Sequence, residues 1–129
     1  MNKTAEKKLR VLLVEDEEIT QLIAEAIIVK GLLHVLDIAS SGAEALKLVD
    51  AQYYDLILMD LGLMESDGFR VTQKIRSRID DKKDMPIVAI SNFLDGNVKE
   101  CCIKVGMNDA ISKPLSAESF KELVKRFVP

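Results

Sequence analysis

Five residues carry groups that could act together on a phosphoryl group: the carboxylates of Glu15, Asp16 and Asp60, the hydroxyl of Ser91 and the ammonium of Lys113. Each stands at or just beyond the end of an apolar run, at residues 11–14, 56–59, 87–90 and 110–111. Three carboxylates gathered in one place repel one another, and a hard divalent cation with oxygen ligands, such as Mg2+, relieves that repulsion. A carboxylate neutralised in this way can attack phosphorus to form an aspartyl-phosphate. Lys113 would add a compact positive charge and Ser91 a hydrogen-bond donor for the phosphoryl oxygens. No general base for activating water is evident, which favours holding a phosphoryl group over hydrolysing it rapidly.

The elements that must position these residues follow from hydrophobic patterning. The run at residues 11–14 is continuous rather than alternating, which predicts a strand buried on both faces. Runs at 35–39, interrupted by Asp37, and at 56–59, 87–90 and 110–111 predict four more. Helical spacing lies between them. Ile19, Leu22, Ile23, Ala26 and Ile27 mark a first helix closed by Gly31, and Ser41 with Glu44 forms a capping box for a second carrying Ala45, Leu46 and Val49. Phe69, Thr72 and residues 75–79 trace a third, and Val98, Cys102 and Val105 a fourth ended by Gly106. Ser116 caps a fifth with Phe120, Leu123, Val124 and Phe127. Residues 80–84 read as a solvated loop. Five βα units predict an α/β fold, a doubly wound parallel sheet whose ligand sits at the carboxyl ends of the strands.

The chain has 129 residues, with 18 Lys+Arg against 21 Asp+Glu and a net charge of −3. That length supports one core, with residues 1–8 a polar leader and residues 9–129 the domain. The slight acidic excess argues against holding nucleic acid or anionic lipid by bulk charge. With neither a secretory apolar core nor a membrane-length run, a cytoplasmic location is expected, without membrane contact. Cys101 and Cys102 are adjacent and lack metal or redox spacing, so Cys102 is expected in the core and Cys101 partly exposed. His34, the sole histidine, falls at a helix-to-strand turn and has no second histidine with which to hold a metal.

The segments Leu12-Leu13-Val14-Glu15-Asp16-Glu17, Leu58-Met59-Asp60 with Asp67-Gly68, Ile90-Ser91 and Ser112-Lys113-Pro114-Leu115 resemble the receiver domain of two-component response regulators. Their order and placement at strand ends make the match specific. The resemblance implies a flavodoxin-like sheet of strand order 2-1-3-4-5 flanked by five helices. It implies that Asp60 accepts a phosphoryl group from a phosphohistidine on a sensor histidine kinase or a histidine phosphotransfer domain. Asp16 and Asp60 would ligate Mg2+ directly, Glu15 through water, and Gly62 through its backbone carbonyl. Ser91 and Lys113 would contact the phosphoryl oxygens, and the Lys113–Pro114 peptide would be cis. The signal would pass to a downstream effector by phosphotransfer or by a shift of the Ser91 loop. Such a domain is no conventional enzyme, although it would promote its own phosphorylation and slow dephosphorylation.

Departures from the pattern matter. Ala110 stands where relatives often carry a switching aromatic, Asn92 where a smaller residue is usual, and Met64 where proline is frequent. Gly62 and Phe93 occupy positions that in relatives influence access to the phosphoryl group: Gly62 offers no side chain to guide water, and Phe93 reads either as a shield for the site or as packing. The segments 60–63 and 106–109 are also similar to receivers of hybrid histidine kinases. A flavin or nucleotide module would need a small-residue loop after the first strand, where Glu15-Asp16-Glu17-Glu18 would repel phosphate. A phosphatase using aspartyl-phosphate would place a second aspartate where Gly62 stands. A degenerate interaction module remains the other alternative.

Overall fold

Five aliphatic runs form the strands: β1 (Arg10–Val14), β2 (Val35–Ala39), β3 (Leu56–Asp60), β4 (Ile87–Ser91) and β5 (Asp109–Ser112). They pair in parallel in the order β2-β1-β3-β4-β5, as expected. The coordinates are a computed structural model that describes residues 7–62 and 68–129; the positions of Met64 and Asp67 lie outside the described residues.

Side chains alternate between two cores because successive strand residues point to opposite faces. Leu12, Val14, Ile57 and Met59 face α2 (Gly42–Ala51), α3 (Gly68–Arg76) and α4 (Gly96–Val105), together with Val49, Val71, Ile75 and Cys102. Val11, Leu13, Leu56 and Leu58 face α1 (Glu18–Ala24) and α5 (Ala117–Phe127), packing on Ala24, Phe120 and Leu123. Each fully buried aliphatic side chain stabilises the fold by about 1.5–3 kcal/mol, so the inner strands β1, β3 and β4, buried along nearly their whole length, are firmly held.

Capping follows local chemistry closely. Ser41 accepts from Glu44 N at 3.1 Å, while the Glu44 carboxylate accepts from Ser40 N, one residue outside the expected reciprocal partner. Asp95 accepts from Val98 N to start α4, and Gly106 ends it at φ 111°, where a Cβ would be strained. Ser116 and Ser119 form a reciprocal capping box on α5.

The structure corrects several expectations. The first helix turns π-helical over Glu25–Gly31, and the left-handed turn that follows falls on Leu33, at φ 64°, not on Gly31. Its inward face is Thr20, Ala24 and Ile28, whereas Ile19 and Leu22 point to solvent, 65% and 58% exposed. Ile19 and Leu22 precede the wider turns and lie off the four-residue stripe that faces inward, while those turns shift the helix end past Gly31. The third helix stops at Arg76, and Ile79 is fully exposed. Two competing bonds draw the chain away there: Ser77 Oγ donates to Lys74 O, and Arg78 pairs with Asp80 and Asp50. Residues Asp81–Asp84 form a 3₁₀ turn begun by Asp80, whose carboxylate accepts from Lys82 N. Asp37, which breaks the apolar run of β2, accepts from the Tyr54 hydroxyl at 2.6 Å and lies 3.4 Å from Arg10. His34 accepts from Leu9 N through Nδ1 and rests against the Phe120 ring, while Cys102 is buried and Cys101 exposed.

Candidate functional site

Strand register assembles the acids. Val14 of β1 lies opposite Met59 of β3, so Glu15 and Asp60 are the next residues in line on neighbouring strands. Burial there is severe: Glu15 is 0% and Asp60 6% exposed, while Asp16 is exposed on the rim. Oxygens of Glu15, Asp16 and Asp60 lie within 4.8 Å of one another, and among the described residues they form the one acidic group able to hold a metal ion.

Lys113 enters from the loop after β5 with its side chain 9% exposed. Its Nζ lies 2.7 Å from Glu15 Oε1, 3.5 Å from Asp60 Oδ1 and 3.8 Å from Glu17 Oε1. Burial alone would lower the lysine's pKa; the hydrogen bond and attraction from Glu15, with Asp60 behind them, outweigh it and hold the ammonium above its usual range. Glu15 is pushed up to about 7, first by burial and then by Asp60, against the pull of Lys113 and of the Glu17 backbone amide. The Lys113–Pro114 peptide is cis.

These residues fit Mg2+. Hard oxygen donors converge, and the buried Glu15 Oε1 has the Lys113 ammonium beside it, a cation that a metal ion could replace. Gly62 sits beside them, its amide donating to Asp60 Oδ1 at 3.1 Å, and a Cβ at Gly62 would lie 3.7 Å from that same oxygen.

The two predicted residues at the end of β4 bond each other. The Ser91 hydroxyl bonds the backbone of Phe93, accepting from its amide at 3.1 Å and donating to its carbonyl at 3.3 Å. Phe93 is 86% exposed and borders an apolar pocket of about 390 Å³ with Leu61, Gly62, Phe69, Ser91, Val98 and Cys101. Ala110 is buried, and the rim is joined through the backbone by a 2.9 Å bond from Lys113 N to Ser91 O.

Sequence reasoning missed the supports around the acids. Glu17 adds a third carboxylate near Lys113 and is itself held by the Thr20 hydroxyl at 2.6 Å. Gln21 donates to Glu15 O at 2.7 Å, fixing α1 to the end of β1. The four-residue spacing of Glu17 and Gln21 offered a signal, since both then lie on the face of the first helical turn that points back at β1.

Sequence and structure together place this chain in the response regulator receiver domain family, whose model matches residues 11–125. Among curated relatives it is 39% identical to the two-component response regulator ORR41 of Oryza sativa subsp. japonica, covering 95% of this chain and 97% of that protein. It is 33% identical to the aerobic respiration control sensor protein ArcB of Escherichia coli K12, covering 92% of this chain but only 15% of ArcB. The chain likewise spans 16% of histidine kinases from rice and Arabidopsis thaliana. In three dimensions it matches the receiver domain of sensor histidine kinase PA1611 from Pseudomonas aeruginosa PAO1. That match has a TM-score of 0.83 and 30% identity over 94% of this chain and 98% of the other, which was crystallised with a magnesium ion coordinated in its active-site cleft. No described helix is long and apolar enough to cross a membrane.

Proposed function

We propose that Asp60 is the phosphoacceptor of a two-component phosphorelay, taking its phosphoryl group from a phosphohistidine on a sensor histidine kinase or histidine phosphotransfer domain. The observation that carries this reading is the convergence of three carboxylates and one buried ammonium at the carboxyl ends of β1, β3 and β5. A buried acidic cluster is costly to maintain, which disfavours a degenerate interaction module.

An oxygen of Asp60 forms the new bond to phosphorus as the P–N bond of phosphohistidine breaks. The electron pair of that bond returns to the imidazole, which takes up a proton, leaving aspartyl-phosphate on this chain. Mg2+, held by Asp16, Asp60 and the Gly62 carbonyl with Glu15 through water, would supply charge neutralisation. Lys113 leaves Glu15 for a phosphoryl oxygen, and Ser91 donates to another. Phe93 governs access to the site, and Ala110 provides no aromatic switch. The phosphoryl group then passes onward, or the altered surface engages an effector.

Domain limits and location belong to the same proposal. Leu9 is already in the core, which supports a domain beginning at residue 9 after a polar leader. Action in the cytoplasm, without direct nucleic-acid or membrane contact, accords with the charge balance.

Intact mass measurement after incubation with Mg2+ and acetyl phosphate tests this reading. One phosphoryl adduct is expected, removed by hydroxylamine and absent from Asp60→Asn. Failure to form an adduct with acetyl phosphate or a phosphorylated histidine donor would overturn it.

A further inference from the structure

The Ser91 hydroxyl is engaged twice by the backbone of Phe93, and the phenyl side chain carried by that backbone is 86% exposed at the mouth of an apolar pocket. The two facts are mechanically linked. A hydroxyl donates only one hydrogen, so Ser91 cannot donate to Phe93 O and to a phosphoryl oxygen together. Engaging the phosphoryl group therefore breaks the 3.3 Å bond to Phe93 O and loosens the turn, leaving only the 3.1 Å bond that Ser91 accepts from Phe93 N.

The neighbouring pocket is suited to receive the freed ring. Its walls are Leu61, Phe69, Val98 and Cys101, and its volume of about 390 Å³ exceeds what a phenyl group requires. An exposed phenylalanine beside unfilled apolar space gains by entering it. The ends of the turn are fixed: Lys113 N bonds Ser91 O at 2.9 Å, Leu94 packs against the core, and Asp95 caps α4. Freedom is thus concentrated at Asn92 and Phe93.

We infer that Phe93 is a latch: its backbone holds the Ser91 hydroxyl away from Asp60 until phosphorylation, after which its ring folds into the pocket between α3 and α4. The residue is a positioning residue for Ser91, and its closed position changes the surface offered to partners. This also gives the domain a mobile aromatic on β4's side of the site, although Ala110 on β5 provides none. The inference rests on Asp60 being the phosphoacceptor.

The chain contains no tryptophan, so Phe93→Trp gives a single reporter. Incubation with Mg2+ and acetyl phosphate, followed in parallel by intact mass and tryptophan emission, is expected to shift emission to shorter wavelength as the adduct forms and to reduce acrylamide quenching at least twofold. Asp60→Asn in the same background should show neither change. Ser91→Ala should make emission independent of phosphorylation. Val98→Asp, which puts charge in the pocket while leaving an acid tolerated in the first turn of α4, should still form the adduct and lose the shift. An adduct with unchanged emission overturns the latch and leaves the phosphoacceptor assignment standing. An adduct on Phe93→Trp accompanied by a shift that Val98→Asp retains overturns the pocket as its seat. No adduct on the parent protein overturns both.

Discussion

The Lys113 ammonium lies closer to Glu15, at 2.7 Å, than to Asp60, at 3.5 Å. In the resting domain the lysine is therefore held by an acid other than the one proposed to react. On the proposed function, a cation at Glu15 and Asp60 would compete with Lys113 for the same oxygens, leaving the amine available for a phosphoryl oxygen.

That arrangement makes metal-free stability depend on pH. The folded-state pKa of Glu15 is raised from 4.5 to about 7, so the folded domain binds this proton more tightly than the unfolded chain does. The associated stability is present below the unfolded value and is lost as pH rises through about 7. Urea unfolding at about pH 5.5 and about pH 8, without Mg2+, should give the lower midpoint at the higher pH. Glu15→Gln should flatten the difference, and Mg2+ should raise the midpoint more at the higher pH.

Asp60→Asn removes one like charge from the cluster. Asp60 raises the Glu15 pKa both by hydrogen bonding and by charge, so the variant should be stabilised without metal by about 1 kcal/mol. Mg2+-dependent stabilisation should fall sharply. Thermal unfolding with and without Mg2+ checks both outcomes.

Gly68→Ala tests the packing beneath Asp60, the proposed phosphoacceptor. A Cβ there would meet Met59 Cγ at 2.7 Å and Asp60 O at 3.0 Å. Overpacking of this kind costs about 1–3 kcal/mol, and it displaces the strand that carries Asp60. Slower adduct formation is expected, with partial recovery on adding Met59→Ala, measured by time-resolved intact mass.

Asp109 is a stability residue remote from the acid cluster. Its carboxylate, 7% exposed, pairs with Arg126 at 2.8 Å and Lys99 at 3.2 Å. Burial alone would raise its pKa, but the Ala110 amide, Lys99 and Arg126 together hold it below 3.8. The resulting stability is present above the unfolded value and is lost as pH falls through the lower folded one. Asp109→Asn should cost about 1–2 kcal/mol near neutral pH, given that both cationic partners are half-exposed, and should unfold with a weaker dependence on pH below 3.8.

Arg76 ties the opposite end of the sheet together. It donates to the carbonyls of Gly106, Lys83 and Met85 and to Asn108 Oδ1. Arg76→Met should destabilise by about 2–3 kcal/mol, since several carbonyls lose a charged donor. Phosphoryl acceptance should persist at temperatures where the variant remains folded, read by intact mass and circular dichroism on one sample.

Much of this molecule is legible in its sequence because two signals are strong there. Continuous apolar runs mark central strands, and an acid, hydroxyl or amine at each run's end marks the rim. What escaped has local physical causes. Ile19 and Leu22 look like core by type, yet the buried stripe runs through Thr20, Ala24 and Ile28 at four-residue spacing and leaves them exposed. Arg76 and Arg78 end the third helix through partners distant in sequence. Ser91 was recognisable by type, but its bonds to Phe93 depend on a turn that residue types alone do not specify.

The two sides of the site are built from parts of unequal stiffness. Glu15 and Asp60 follow the fully buried Val14 and Met59 of β1 and β3, whereas Ser91 opens a turn in which Asn92 and Phe93 are exposed. The acidic floor behaves as an anvil and the β4 turn as a spring. Substitutions on the floor should therefore be tolerated rarely and act all-or-none, while substitutions in the turn can grade the lifetime of the signal, which is where a clock for this domain would be set.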